Sequence, residues 1–64
     1  MVRRKFKLGD LVELKHVHGI SAPRGPYEIV RLLPEERGVP YYRIKLCHED
    51  TERVVDEVQL KPFS

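Results

Sequence analysis

Apolar and polar residues alternate along this chain in short runs that are interrupted by glycine, proline and acidic residues. That is the pattern of half-buried β-strands. The clearest case is the stretch from Gly25 to Cys47. Two runs rich in β-branched and aromatic residues, Gly-Pro-Tyr-Glu-Ile-Val-Arg-Leu-Leu and Tyr-Tyr-Arg-Ile-Lys-Leu-Cys, flank the polar segment Pro-Glu-Glu-Arg-Gly-Val-Pro, which predicts a β-hairpin. In the second run Tyr42, Ile44 and Leu46 alternate with Tyr41, Arg43, Lys45 and Cys47, so the first set is expected to face inward and the second water. In the first run Tyr27 and Ile29 are expected inward, but strict alternation would then bury Arg31 as an unpaired charge. A β-bulge near Val30 removes the conflict by turning Arg31 outward and Leu32 inward.

The same punctuation sets the remaining elements. After Gly9 and Asp10, residues 11–14 predict a first strand with Val12 and Leu14 on one face and Leu11 and Glu13 on the other. Gly19, Ser21 and Pro23 make residues 15–24 a long loop. Residues 26–33 and 41–47 are the hairpin strands, and 51–55 form a shorter fourth strand. Residues 56–59 predict one turn of 3₁₀-helix, ahead of a last short strand at 60–62. The expected fold is all-β, a strongly bent antiparallel sheet of five strands in one domain over residues 1–64, with 1–7 as a basic N-terminal arm. Its expected core is Val12, Leu14, Tyr27, Ile29, Tyr42, Ile44, Val54 and Leu60.

Length and cysteine usage narrow the picture. A chain of 64 residues has room for one small core and hides only about 60% of the surface its unfolded form exposes. Cys47 is the single cysteine and cannot close a bridge within the chain, so barrel closure or a homodimer is the expected supplement to stability. No run approaches the roughly 20 apolar residues that span a bilayer. The start, Met1-Val2-Arg3-Arg4-Lys5, leads into Phe6-Lys7-Leu8 rather than into an apolar signal core. These features predict a cytoplasmic protein with no membrane partner.

Charge adds direction rather than magnitude. Lys and Arg number 12 and Asp and Glu 10, a net charge of +2. Arg3, Arg4, Lys5 and Lys7 crowd the first seven residues, while Glu49, Asp50, Glu52, Asp56 and Glu57 cluster late with only Arg53 among them. The chain is dipolar rather than uniformly basic.

The order of elements, with a long loop after the first strand, a tight hairpin between the second and third and a helical turn before the last, resembles the Src-homology-3-like small barrel. Phe6-Lys7-Leu8-Gly9-Asp10-Leu11-Val12-Glu13-Leu14 is similar to the first strand of KOW modules, in which the Gly-Asp pair makes the turn into that strand. This likeness extends to Gly19 and Gly25 and covers under half of the chain. The stretches Gly25 to Gly38 and Tyr42-Arg43-Ile44-Lys45 also resemble a family of very short bacterial proteins without an assigned activity. Together these resemblances imply a five-stranded small barrel and no particular chemistry.

Candidate chemistry is sparse. His16 and His18 with Cys47 and His48 comprise four zinc-ligating groups, but neither pair has the usual gap of two to four residues, and loop histidines with a strand-end thiol are the expected reading. No metal or other cofactor is expected. Cys47 beside His48 does not make a nucleophile and its base, because neighbouring residues on a strand face opposite ways, and so short a chain has no second layer to enclose a small-molecule substrate. The expected function is non-catalytic binding.

The basic groups are the best lead. Arg31, Arg43 and Lys45 should project from the outer face of adjacent strands beside Tyr41, with Arg3, Arg4, Lys5 and Lys7 extending the patch. Cations that neutralise phosphates and a tyrosine that stacks on an unpaired base suit RNA or a ribonucleoprotein. The rival reading of the same face is a set of cross-strand ion pairs to Glu28 or Glu52. A protein partner or homodimer is the second expectation. Leu11, Val30, Leu33, Val39 and Val58 exceed what one small interior holds, and open edge strands can accept another strand.

Overall fold

The computed structural model describes residues 3–15 and 24–63. The candidate ligands His16 and His18, and Gly19 with the body of the long loop, lie outside the described residues. Five strands form: β1 (Leu11–Leu14), β2 (Tyr27–Glu36), β3 (Val39–Leu46), β4 (Glu52–Asp56) and β5 (Leu60–Pro62), with a 3₁₀ turn at Glu57–Gln59. All pairings are antiparallel, in a single sheet of order β4-β3-β2-β1-β5. The expected all-β class holds, β1 and β5 fall at their expected positions, and the 3₁₀ turn starts one residue later than expected, at Glu57, with Asp56 ending β4 and capping the turn. Among the described residues β4 and β5 do not pair with each other, so the sheet is open rather than closed into a barrel.

The hairpin carries two irregularities, both on β2. Ile29 faces Ile44 while Arg31 faces Arg43, so Val30 is an extra residue, the bulge that the buried-charge argument required. It sends Arg31 to the exposed face. Leu32 faces the buried Tyr42 and is thus on the inner side, but at the sheet's end it stays 39% exposed. The second shift lies between Leu33 and Glu36. Pro34 sits there, where its missing N–H leaves no ladder bond unmade.

The connecting turn is shorter than the polar segment implied. Both strands continue into that segment, leaving Arg37 and Gly38 at φ +54° and +80° as the two-residue connection. Positive φ at both positions defines the type I′ turn, whose twist matches that of the strands it joins.

The core consists of Phe6, Val12, Leu14, Tyr27, Ile29, Tyr42, Ile44, Leu46, Val55 and Leu60. One expected member is corrected. Val54 faces Arg43 and lies on the outer side, 52% exposed, whereas Val55 faces Tyr42 and is buried. Adjacent residues on a strand face opposite ways, and the register with β3 turns Val55 rather than Val54 inward. Of the surplus apolar residues, Leu11 and Val58 are exposed while Val30, Leu33 and Val39 are half-buried.

Phe6 enters the core because the chain before β1 turns back on itself. Asp10 donates its N–H to Lys7 O at 3.1 Å and its carboxylate accepts from Lys7 N–H at 2.9 Å, closing a turn around Leu8 and Gly9. Gly25 makes the closest backbone approach. At φ +148°, an added Cβ would lie 3.0 Å from Val12 O and 3.2 Å from Glu13 Cβ. Gly25→Ala is therefore expected to destabilise the fold by about 1–3 kcal/mol through backbone strain and crowding against β1. Urea unfolding checks this, and an unchanged midpoint would show that β1 can move aside.

Candidate nucleic-acid interface

The outer face of the sheet is built in rows, because residues in register on neighbouring antiparallel strands share a face. The first row runs Leu11, Glu28, Lys45, Glu52 from β1 to β4. The second runs Arg31, Arg43, Val54, and the third Leu33, Tyr41, Asp56. The predicted quartet Arg31, Tyr41, Arg43 and Lys45 thus shares one surface spanning three rows.

Its electrostatics are uneven. Lys45 lies between Glu28 and Glu52 in register, and its Nζ is 3.8 Å from Asp50 Oδ1. Arg43 Nη1 is 3.9 Å from Glu52 Oε1. Of these, Arg43 with Glu52 is the cross-strand pair expected as the rival reading of this face, while Lys45 pairs with Asp50 of the β3–β4 connection rather than with Glu28 or Glu52. Both contacts are long and solvent-exposed, a class contributing roughly 0.2–1 kcal/mol each. Arg31 differs: it is exposed, faces Arg43 directly, and makes no ion pair among the described residues.

The N-terminal cations separate by role. Arg4 donates from Nη1 to Tyr41 O at 3.0 Å and from Nη2 to Leu33 O, and its guanidinium lies 5.3 Å from the Tyr42 ring centroid. It therefore binds the two carbonyls next to the second register shift from the Tyr42 side of the sheet, and is not aligned with Arg31 and Arg43. Planar donors in a fixed fork suit that task. Arg3, Lys5 and Lys7 are exposed and make no ion pair among the described residues.

Behind the interface lies a polar network that sequence reasoning missed. Glu57 Oε2 accepts from Tyr42 OH at 2.6 Å and from Lys5 N–H at 2.8 Å. Phe6 meets the Tyr42 ring edge-on, 5.8 Å between centroids at 74°. A tyrosine expected inward on a strand needs a partner for its hydroxyl, and that requirement was the available signal. Glu57, deep in an acidic stretch, carried none of its own.

Compared with protein-family models, with curated proteins and with solved structures, the chain matches none.

The candidate metal set does not come together in what is described. Cys47 and His48 are exposed in the β3–β4 connection, and among the described residues no three His, Cys, Asp or Glu side chains are placed to hold a metal ion.

The Tyr42 phenol is held above its ordinary pKa of 10.0, first by burial and then by donation to the Glu57 carboxylate. The unfolded chain therefore loses this proton at lower pH than the folded one. The contribution is fully present below about pH 10 and is lost as pH rises through the folded value. Tyr42→Phe removes a hydrogen bond to a charged group and is expected to cost about 1.5–3 kcal/mol at neutral pH. In urea unfolding the gap between parent and variant narrows as pH climbs above 10.0. A constant gap would mean the hydroxyl has no such role.

Proposed function

We propose that the chain is a non-catalytic binding module that engages RNA or a ribonucleoprotein in the cytoplasm through Arg31, Arg43 and Tyr41, with Lys45 at the margin. We also assign it to the Src-homology-3-like small barrels, with the likeness to KOW modules and to the very short bacterial proteins as part of the same reading. Support for the barrel comes from β5 returning to pair with β1 and from the bend-promoting bulge at Val30.

The observation that carries the function is the register pair Arg31 and Arg43. Like charges directly opposite on antiparallel strands repel. A phosphate placed between them removes that repulsion, and guanidinium groups take phosphate oxygens through paired, charge-assisted hydrogen bonds. Tyr41 is half-buried in the next row of the same face, and offers a ring to a base. Such stacking contributes about 1–3 kcal/mol per base.

Arg31→Glu separates binding from folding. It converts a repelling pair into an attracting one, so fold stability is expected to rise by about 0.2–1 kcal/mol while affinity for short single-stranded RNA falls. For Arg43→Ala the slope of log K against log salt should decrease by about 0.7, the loss of one phosphate contact. Chemical-shift titration at low salt followed by a salt series reads both. Affinities equal to the parent's for both variants would overturn the assignment.

A further inference from the structure

The two edges of the sheet are not equivalent. Leu46 N–H donates to Thr51 O at 3.1 Å, and pairing is regular from there to Tyr41 and Asp56. Alternation along an antiparallel ladder then turns the main-chain groups of Arg53 and Val55 toward β3, and those of Glu52, Val54 and Asp56 toward the open side. On the other edge, Lys15 N–H donates to Gln59 O and Phe63 N–H to Leu11 O. Gln59, Lys61 and Phe63 therefore face β1, while Leu60 and Pro62 face away. The Leu60 N–H is taken by Glu57 O, and Pro62 has none. Over Leu60–Pro62, β5 presents no free outward donor, whereas β4 presents those of Glu52, Val54 and Asp56, which have no partner among the described residues.

We propose that the open edge of β4 docks an extended segment of a different protein, added antiparallel as a sixth strand. Its side chains are set by what they meet. Glu52 and Asp56 flank the exposed Val54 on the outer face, so the segment carries basic residues at its two ends and an apolar residue in the middle. Glu52 is only 3.9 Å from Arg43 at its nearest ion contact, and Asp56 uses Oδ1 to accept from Gln59 N–H. Both carboxylates keep capacity for another cation.

The opposite face sets the fourth position. Arg53 faces Ile44 and is half-buried, and its buried Nε has no hydrogen-bond partner among the described residues. A buried polar group left unpaired costs about 1–3 kcal/mol. A carboxylate opposite Arg53 on the added strand supplies the missing acceptor and pairs the charge. Reading from the residue that faces Asp56 to the one that faces Glu52, the segment is basic, apolar, apolar, acidic, basic.

A second copy of this chain does not meet that description. Pairing β4 with itself over its full length, centred on Val54, sets Glu52 opposite Asp56 twice. Sliding one way sets Arg53 against Arg53, and sliding the other leaves only the end of the strand before the 3₁₀ turn. Each arrangement opposes like charges or forfeits the ladder.

The experiment uses a capped peptide containing Lys-Val-Val-Glu-Lys and its charge-reversed counterpart Glu-Val-Val-Lys-Glu. With the first peptide titrated until shifts saturate, amide exchange at Glu52, Val54 and Asp56 is expected to slow about tenfold or more. The reversed peptide should leave those amides unprotected. Val54→Pro removes a donor that points away from β3, so pairing with β3 should survive while peptide protection disappears. Should that variant fail to fold, Glu52→Lys serves instead. Its affinity for the first peptide is expected to fall about fivefold, and a peptide with Glu at the facing position restores it. Arg31→Glu should leave peptide binding unchanged, which distinguishes this edge from the RNA face. Unaltered exchange at the three amides in peptide excess, or equal protection by both peptides, overturns the proposal.

Discussion

Side chains on a strand alternate between faces, so a β2 that buries Tyr27 and Ile29 would also bury Arg31 unless one residue is inserted between them. Val30 is that residue. Without it the register set by Ile29 and Ile44 would carry on to place Arg31 opposite the buried Tyr42, and the interior would receive a cation with no acid in register. With it, the apolar set stays on one side, the ladder bends, and a guanidinium is delivered to the outer face next to another. Core and candidate interface therefore have a single origin, a change of parity in the middle of the longest strand.

Tyr42 links the parts that lie outside the ladder. It is fully buried, yet its hydroxyl reaches Glu57 in the 3₁₀ turn, its ring edge-packs with Phe6 and its face lies under Arg4. The basic arm is thereby fastened to the sheet before β1 begins. The same carboxylate takes the Lys5 N–H, so the arm and the turn share one acceptor. In a chain with so little core, such a shared group does for the N-terminal segment what a disulfide would do in a secreted domain.

Much of this was legible in the order of residues, because alternation is a local property. The limits of β1 and β5, the inward set of β3 and the Val30 bulge all follow from which neighbour is apolar and which is charged. Val54 and Val55 could not be told apart in that way, since two adjacent valines carry no parity and only the pairing with Arg43 and Tyr42 decides between them. Pro34 and the two glutamates look like loop, so the sequence implies a longer turn than the two residues that form it; the second shift accommodates the proline inside β2. On the candidate face, the shared side of Tyr41, Arg43 and Lys45 follows from alternation. That Arg31 stands opposite Arg43 rather than opposite an acid depends on register. Arg4 looked like one more surface cation, and its attachment to Leu33 and Tyr41 carbonyls depends on a fold that brings residues far apart in sequence together.

The unequal edges bear on how such a sheet behaves in a crowd. Indefinite stacking of strands needs two open edges on every unit, each with unpaired N–H and C=O groups, as in a fibril where each chain templates the next. Here Pro62 and the Leu60 N–H bound to Glu57 O close one side. A molecule that receives a strand at β4 has no equivalent edge at β5 to pass the ladder on. In polymer terms the chain is monofunctional, a terminator rather than a repeat unit, and so small a β protein is thereby protected from growing into a filament of its own.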